Sequence, residues 1–556
     1  MTKEVLVEQN LIKLVNKAVQ DNFPSVTLDE LPTYLEIPKE YKFGDFSSTV
    51  ALKLSKILKQ PPLEIANILK STIIATIDSS RLKDVIFKTE IQPPGFINFF
   101  IKTQYLYVLL NQIIQKGKDF ARSDLGKGAN VLIEFISANP TGPLSLAHGR
   151  QAAVGDALAN ILDFAGFNVS REYYVNDEGR QIDLLGASIE ARLKELLGKT
   201  SAFPEEGYHG KYIYDISRVI IDKKIDTKDK GIEFFSKFGV DYILEIIKND
   251  LEDFGVKFDF WSSQKALRED GNIDEALDFL AKKKLTYKED DALWFKSTAF
   301  GDDKDRVVIK KDKTFTYLAP DIAYHRDKFR RGFNWLINLW GPDHHGYIQR
   351  LKAAIKALGH DKESLSVIIV QLVTLLRGKE AVSMSKRSGE FVSLRDVMTD
   401  VGKDVTRFFF LTRRTDSHLD FDLELAKKQS QENPVFYIQY AYARIWGILE
   451  GAKEKGISLG GKTKAGILDK EEEIIIMRLL NRFPHIILAS YKLLDPYPLT
   501  SYLLELVGAF HRFYDRHKVL SEDTDLTSAR LMLIEAVKIV LENGLTLLGV
   551  SRPKRM

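Results

Sequence analysis

The feature that most constrains the fold is a strand, a loop and a helix that follow one another after residue 130. VLIEFI (131–136) is a continuous β-branched apolar run, typical of a strand buried in a parallel sheet. The loop SANPTGPLSLAH (137–148) separates it from GRQAAVGDALANILDFAGF (149–167), whose apolar residues recur at helical spacing. NVSREYYVND (168–177) then predicts a second strand. Because two strands joined through a helix form a βαβ unit, this segment predicts an α/β domain.

The strand pattern continues toward the C-terminus. Four further runs predict strands, namely DRVVIKK (305–311), TFTYL (314–318), FNWLINLW (333–340) and LSVIIVQLV (365–373). We therefore expect a doubly wound, Rossmann-type α/β domain over residues 128–400. A charged, mainly helical insertion at about 190–295 interrupts it.

Two other kinds of pattern flank this domain. Residues 1–115 combine helical spacing with the strand-like PPGFINFFI (93–101), which indicates a small α+β domain. Residues 431–556 are helical throughout and predict an α-helical bundle, with 401–430 as a connecting region. A chain of 556 residues suits this division, because it exceeds what one hydrophobic core organises.

Composition excludes several classes of protein. With no cysteine, the chain has no disulfide, thiolate metal site or cysteine nucleophile. No apolar stretch approaches the roughly 18 residues of a membrane span, and the N-terminus lacks the pattern of a signal peptide. We expect a cytoplasmic protein with no membrane contact. A net charge of +3 does not by itself indicate or exclude a nucleic-acid partner.

The loop after the first strand has the features of an anion site. It stands where a strand gives way to a helix, which is where ligands approach an open α/β sheet. Asn139, Thr141 and the backbone of Gly142 and Gly149 offer hydrogen-bond donors, and His148 starts the helix. From the residues alone, an ordinary turn remains the alternative.

Two segments carry a family resemblance. NPTGPL followed by a His-Gly-Arg helix start resembles the signature loop of arginyl-tRNA synthetases, a class I family whose loop usually reads His-x-Gly-His. Ser145 replaces the first histidine and Ala147 the glycine. EAVSMSKRSGEFVSL (380–394) resembles the mobile Lys-Met-Ser-Lys-Ser loop of class I enzymes, with Ser383 at its first lysine.

The resemblance implies roles for both loops. It makes His148, Lys386 and Ser145 catalytic, with Lys386 closing over the triphosphate as charge develops on pyrophosphate. The implied ATP-binding residues are Pro140, Thr141, Gly142, Pro143, Leu144, Ser145, His148, Gly149, Ser383, Met384, Ser385, Lys386 and Arg387.

Amino-acid recognition is expected in TFTYLAPDIAYHRDK (314–328). Tyr317 and Asp321 are four residues apart and share a face if the segment is helical. Asp321 or Glu134 offers a carboxylate to a guanidinium, although an internal ion pair is the alternative role of either residue. The resemblance implies arginine binding by Glu134, Ser137, Asn139, His148, Tyr317, Asp321 and His345.

The resemblance extends along the chain and implies an arginine-tRNA ligase. Its substrates would be L-arginine, tRNA(Arg) and ATP with Mg²⁺, without a tightly bound protein metal, and the enzyme would be a monomer. In that family the N-terminal domain contacts the tRNA elbow and the helical bundle reads the anticodon. The residues expected to stack on tRNA bases are Tyr437, Tyr440, Phe513 and Tyr514, with core packing as the alternative role of any one of them.

Three rival interpretations remain. GISLGGKT (456–463) has the spacing of a phosphate-binding loop, but it follows a predicted amphipathic helix instead of a buried strand. Asp343-His344-His345 resembles a motif of metal phosphoesterases, without the further aspartates that such a site needs. The substitutions at Ser145, Ala147 and Ser383 also allow an RNA-binding module that has lost catalysis.

Overall fold

The N-terminal part of the chain is an α+β unit. The computed structural model describes residues 7–28, 35–38, 40–378, 380–382, 392–457 and 466–556. The elements up to the linker are α1 Val7–Asn22, β1 Leu35–Glu36, β2 Phe46–Ser48, α2 Val50–Leu58, α3 Pro62–Asp78, β3 Ile86–Gln92, β4 Phe96–Ile101 and α4 Thr103–Lys116. The strands form an antiparallel sheet in the order β1-β2-β4-β3, on which α2 and α3 pack.

A second unit follows, in which helices alternate with parallel strands. Its elements to the end of the parallel sheet are β5 Asn130–Glu134, α5 Leu146–Phe164, β6 Asn168–Val175, α6 Arg180–Leu196, α7 Lys211–Asp222, α8 Ile232–Phe254, β7 Phe260–Ser263, α9 Gln264–Glu269, α10 Asn272–Lys282, β8 Thr286–Glu289, β9 Ala292–Phe295, β10 Arg306–Ile309, α11 Leu318–Arg330, β11 Trp335–Trp340, α12 Ile348–Leu358 and β12 Leu365–Ile369.

The central sheet is doubly wound, as predicted. Its five strands run parallel in the order β12-β11-β5-β6-β7. The chain builds outward from β5 in one direction through β6 and β7, then returns to the other side of β5 for β11 and β12. The strand order therefore reverses between β5 and β11, and ligands bind at such a switch point, outside the carboxyl ends of the strands.

Three predictions about strands were wrong in part. DRVVIKK forms β10, but β10 pairs antiparallel with β9 in a separate sheet of order β10-β9-β8. TFTYL forms an isolated bridge at Phe315 and then starts α11, where Pro320 is tolerated in the first turn. The block 190–295, predicted as an insertion, contains β7, which pairs with β6 in the central sheet.

The chain then passes through a small sheet into a helical bundle. The elements are β13 Val373–Arg377, β14 Glu380–Ala381, α13 Leu394–Val401, α14 Lys403–Phe410, β15 Leu419–Asp422, α15 Leu423–Lys427, α16 Pro434–Glu454, α17 Glu471–Leu493, α18 Tyr497–Arg516 and α19 Thr524–Leu548. Gly549 ends α19 at a left-handed φ of 67°. No helix in the described ranges is both long and apolar enough to cross a membrane.

Buried residues tie the bundle to the α/β unit. One hydrophobic cluster runs from α1 through the central sheet to α19, and α19 packs on both α4 and α5. At its centre the fully buried Arg407 donates from Nε to the Leu548 carbonyl at 2.7 Å. Arg407 also pairs with Asp156 of α5. The helix that starts at the predicted anion loop is thereby held by the C-terminal bundle.

Candidate active site at the carboxyl ends of the parallel strands

A cavity of about 880 Å³ lies at the carboxyl ends of the parallel strands. Residues of the loop after β5, of α5, of α11 and of the turn after β11 line its wall. The wall residues considered below are Glu134, Ser137, Asn139, Ala147, His148, Gln151, Tyr174, Gln264, Arg306, Tyr317, Asp321, His344 and Tyr347. The volume is that of a typical small-molecule site.

The loop after β5 is bent sharply into this cavity. The strand ends at Glu134, and the next residues Ile136 and Ser137 have positive φ values of 70° and 39°. This conformation is costly for a β-branched residue and is concentrated at functional sites. The Ser137 hydroxyl donates to Glu134 Oε1 at 3.0 Å and accepts from the Tyr174 backbone N–H at 3.1 Å. The neighbouring strand β6 thus fixes the loop.

His148 faces the cavity from the first turn of α5. The Ser145 backbone N–H donates to His148 Nδ1 at 3.2 Å, and the Ser145 hydroxyl lies 3.2 Å from the same nitrogen. Because Nδ1 accepts this hydrogen bond, a neutral His148 carries its ring proton on Nε2, and Nε2 is then a hydrogen-bond donor. Beside the positive end of α5, such a donor suits an anionic oxygen.

Ser145 caps α5 beside the cavity and is not itself among the residues that line it. It is the N-cap residue of α5 and also bridges to Ser393. The capping position directs its polar atoms toward the first turn of the helix, where the hydroxyl lies 3.2 Å from His148 Nδ1. Its catalytic role stays a prediction.

Other residues of the predicted nucleotide loop are held by the helices of the insertion. Tyr212 of α7 donates to the Thr141 carbonyl at 2.7 Å, and a Cβ on Gly142 would come within 3.1 Å of the same phenol. Asn139 Nδ2 donates to Gln181 of α6 at 2.7 Å. Besides Ser145, six predicted ATP-binding residues are not among those that line the cavity, and their role stays a prediction, namely Pro140, Thr141, Gly142, Pro143, Leu144 and Gly149.

Gly149 shows why this loop sits close to the rest of the domain. A Cβ at this position would lie 2.7 Å from Leu394 and 3.0 Å from Phe410. The absence of a side chain lets α5 approach α13 and α14. The five residues predicted on the second ATP loop lie outside the described ranges: Ser383, Met384, Ser385, Lys386 and Arg387.

Asp321 stands in the first turn of α11 with its carboxylate toward the cavity. Tyr347 donates its hydroxyl to Asp321 Oδ2 at 2.5 Å. Burial raises the pKa of Asp321 to about 6, although the Tyr347 hydrogen bond opposes this. Within the described ranges no cation forms a salt bridge with Asp321. Tyr317, the residue before α11, is 83% exposed at the mouth of the same cavity.

Glu134 differs from Asp321 because it already has a cationic partner. The fully buried Lys328 lies 2.5 Å from Glu134 Oε2 and 3.9 Å from Glu172 Oε2. Arg331 pairs with the other oxygen of Glu172 at 2.8 Å. The internal ion pair considered from the sequence is therefore present at Glu134, which also lines the cavity.

The turn after β11 borders the cavity. Residues Pro342–Tyr347 form a 3₁₀ turn. The turn lines the cavity with Pro342, Asp343, His344 and Tyr347; both histidines are exposed, and His345 is not among the lining residues. The arginine-binding role of His345 stays a prediction, and Tyr347 was missed because no local pattern links it to a site 26 residues earlier.

The rival sites find little support. Within the part of the chain that is described, no three His, Asp or Glu side chains form a group able to hold a metal. GISLGGKT follows helix α16 instead of a strand, and most of it lies outside the described ranges.

The C-terminal bundle carries an aromatic and basic surface. Tyr437 stacks on His511 with ring centroids 4.6 Å apart, and Arg444 lies 4.8 Å from the Tyr440 ring and 4.6 Å from the Tyr514 ring. These three tyrosines are half-buried. Phe513 is fully buried, so its predicted role in stacking on tRNA is wrong. The helical period turns residue 513 to the core and its neighbour 514 outward.

Comparison with known proteins gives consistent matches along the chain. Family models match for the arginyl tRNA synthetase N terminal domain at residues 9–101, tRNA synthetases class I (R), catalytic domain, at 109–409, and the DALR anticodon binding domain at 438–556. An arginine–tRNA ligase of Geobacter sp. (strain M21) is 46% identical over 99% of this chain and 100% of that protein. One from Geobacillus thermodenitrificans (strain NG80-2) is 47% identical over 96% of each. The structure of Thermus thermophilus arginyl-tRNA synthetase is similar in fold, with a TM-score of 0.78 at 20% identity, covering 99% of this chain and 100% of that one.

Proposed function

The chain belongs to the arginyl-tRNA synthetase family, and we propose that its cavity at the strand ends is the site where arginine and ATP react. The protein is an arginine-tRNA ligase. It uses ATP to convert L-arginine to arginyl-adenylate and transfers the arginyl group to the 3′-terminal ribose of tRNA(Arg). The observation that carries the proposal for the site is the carboxylate of Asp321, which is half-buried in the cavity wall and has no salt bridge in the described ranges.

Asp321 is proposed to bind the substrate guanidinium. A carboxylate accepts two parallel hydrogen bonds from a guanidinium fork, which an ammonium does not match. Tyr347 holds one carboxylate oxygen by a hydrogen bond of 2.5 Å and so fixes the plane of the acceptor. Tyr317 would cover the bound side chain from the mouth of the cavity, and Asn139 and His148 would face its α-amino and carboxylate end.

ATP is proposed to lie with its triphosphate at the N-terminus of α5. His148 Nε2 and the helix end supply donors there, and Lys386 would approach from the loop that contains it. Mg²⁺ would enter with ATP as part of the substrate and bridge its phosphate oxygens. The arginine carboxylate then attacks the α-phosphorus, the bond to the bridging oxygen breaks, and pyrophosphate leaves. A ribose hydroxyl of tRNA next attacks the arginyl carbonyl, and AMP leaves.

The tRNA is proposed to contact both flanking domains. The domain at residues 1–115 would meet the tRNA elbow, and the bundle at 431–556 would read the anticodon with residues Tyr437, Tyr440 and Tyr514. Arginine-rich aromatic surfaces of this kind stack unpaired bases. We propose that the enzyme acts as a monomer in the cytoplasm.

The test is attachment of labelled arginine to total tRNA with ATP and Mg²⁺, beside lysine and glutamine. We expect charging with arginine alone and a large loss in Lys386→Ala. Lys362→Ala is the matched control, because Lys362 is an exposed lysine whose one ion pair among the described residues is with its neighbour Glu363. If none of the three amino acids is attached, the catalytic proposal fails and an RNA-binding module without catalysis remains.

A further inference from the structure

Gln151 is a buried amide in the cavity wall whose oxygen has no partner. It is 8% exposed, and within the described ranges its Oε1 accepts no hydrogen bond. Leaving such an acceptor unpaired costs the hydrogen bonds it made with water, so native structures rarely do it without a reason. Gln264, in the same wall, shows the usual state. Its Oε1 accepts from Tyr174 at 3.0 Å and its Nε2 donates to Glu178 at 3.1 Å.

Gln151 stands beside the predicted nucleotide end of the site. It follows Ala147 by four residues and His148 by three, so the three side chains share a face of α5 and all line the cavity. Ser145, at the start of the same helix, is occupied in capping and does not reach the wall. The site thus lacks the Ser145 donor at the start of α5, and the carboxamide oxygen of Gln151, farther along the same helix, has no partner among the described residues.

We propose that Gln151 is an ATP-binding residue whose carboxamide hydrogen-bonds the adenosine part of ATP. Six residues separate it from Ser145, which is about 9 Å along a helix at 1.5 Å per residue. That length is comparable to the span of a triphosphate, so a triphosphate at the helix start brings adenosine alongside Gln151. A carboxamide donates and accepts, as do the ribose hydroxyls and the edge of adenine. This inference rests on the proposed function of the cavity.

The test is equilibrium dialysis of ATP with Mg²⁺ against the full-length Gln151→Met variant. Methionine keeps the length of the side chain and removes both polar groups. We expect the Kd for ATP to rise about 3- to 10-fold, as for the loss of one hydrogen bond, with the Kd for arginine changed less than about twofold. An unchanged Kd for ATP overturns the proposal, as does an equal weakening of arginine and ATP.

Gln439→Met is the matched control. Gln439 is a buried glutamine of the bundle, and its Nε2 donates to Asp404 and to the Ser551 carbonyl, each at 3.0 Å. We expect this variant to unfold at a lower temperature while keeping the wild-type Kd for ATP. If it weakens ATP binding as much as Gln151→Met does, the effect is general destabilisation and the proposal fails.

A second arm separates ATP from the 3′-terminal nucleoside of tRNA, which presents the same chemistry. In steady-state charging, Gln151→Met should raise the KM for ATP and leave the KM for tRNA unchanged; the reverse result overturns the assignment to ATP. The dialysis stands independently of charging. If Gln151→Met raises the Kd for ATP but the wild-type protein charges no amino acid, the ligase proposal fails and the role of Gln151 in ATP binding stands. If the wild-type protein charges arginine but the variant binds ATP normally, the role of Gln151 fails and the ligase proposal stands.

Discussion

Arginine use by this enzyme should fall steeply as the pH drops through 6, because the carboxylate proposed to bind the guanidinium protonates there. Burial raises the pKa of Asp321 to about 6 in the protein without substrate. A group with that pKa is about 90% ionised at pH 7 and about 10% ionised at pH 5, so kcat/KM for arginine should decrease about tenfold between the two. Protonated Asp321 keeps its hydrogen bond with Tyr347 but loses the charge that attracts the substrate.

The assay is initial-rate charging at saturating ATP and tRNA, with arginine varied at half-unit steps from pH 5 to pH 8. Asp321→Asn should show a much lower kcat/KM with no inflection near pH 6, because the amide does not titrate. Dialysis of ATP over the same range serves as a control and should lack this inflection. A wild-type profile that is flat through pH 6, or an Asn variant that keeps the inflection, would refute the assignment of Asp321.

Three other predictions concern stability and tRNA. A folded-state pKa near 6 means that ionisation of Asp321 costs stability progressively from about pH 4 to pH 6; Asp321→Asn should therefore raise the free energy of unfolding at pH 7 by up to about 3 kcal/mol, and urea unfolding that shows a loss contradicts this. Lys328→Met leaves Glu134 buried without its cation and should cost about 3–5 kcal/mol in the same assay, so a change below 1 kcal/mol would count against the ion pair. Tyr437→Leu should raise the KM for tRNA severalfold without changing ATP binding, whereas Phe513→Leu should lower the melting temperature by a few degrees and leave the KM for tRNA unchanged.

The central fold was predictable because short stretches of sequence specify its strands and helices. The apolar run before Glu134 and the helix after Ser145 together specify a βαβ unit, and the structure has it. Which sheet each strand joins was harder to predict from the sequence. The apolar run in DRVVIKK identifies a strand but not its partner, which is β9. Strand β7, with only the four residues Phe260–Ser263, has no apolar run to reveal it inside a helical block.

The site was predictable to within about one position of register. Asp321 was identified from the residue type that a guanidinium requires, and the structure places it in the cavity wall. Phe513 was wrong by the rotation of a single residue, because the start of a helix decides which side chain faces inward. The role of His345 stays a prediction. Gln151 gave no signal at all, since an unpaired amide is recognisable only once its surroundings are known.

Two carboxylates of the cavity wall, Glu134 and Asp321, differ in whether a cation of the protein is already paired with them. Glu134 and Glu172 enclose Lys328, and Arg331 pairs with both Glu172 and Asp327, so each of these carboxylates has a cationic partner before any ligand arrives. The carboxylate of Asp321 has only the neutral hydroxyl of Tyr347 as its hydrogen-bond partner among the described residues. A cationic substrate therefore gains most by approaching Asp321, where it supplies the missing charge. Choice between arginine and lysine then depends on geometry, because the fixed plane of the carboxylate rewards a planar fork more than a point charge.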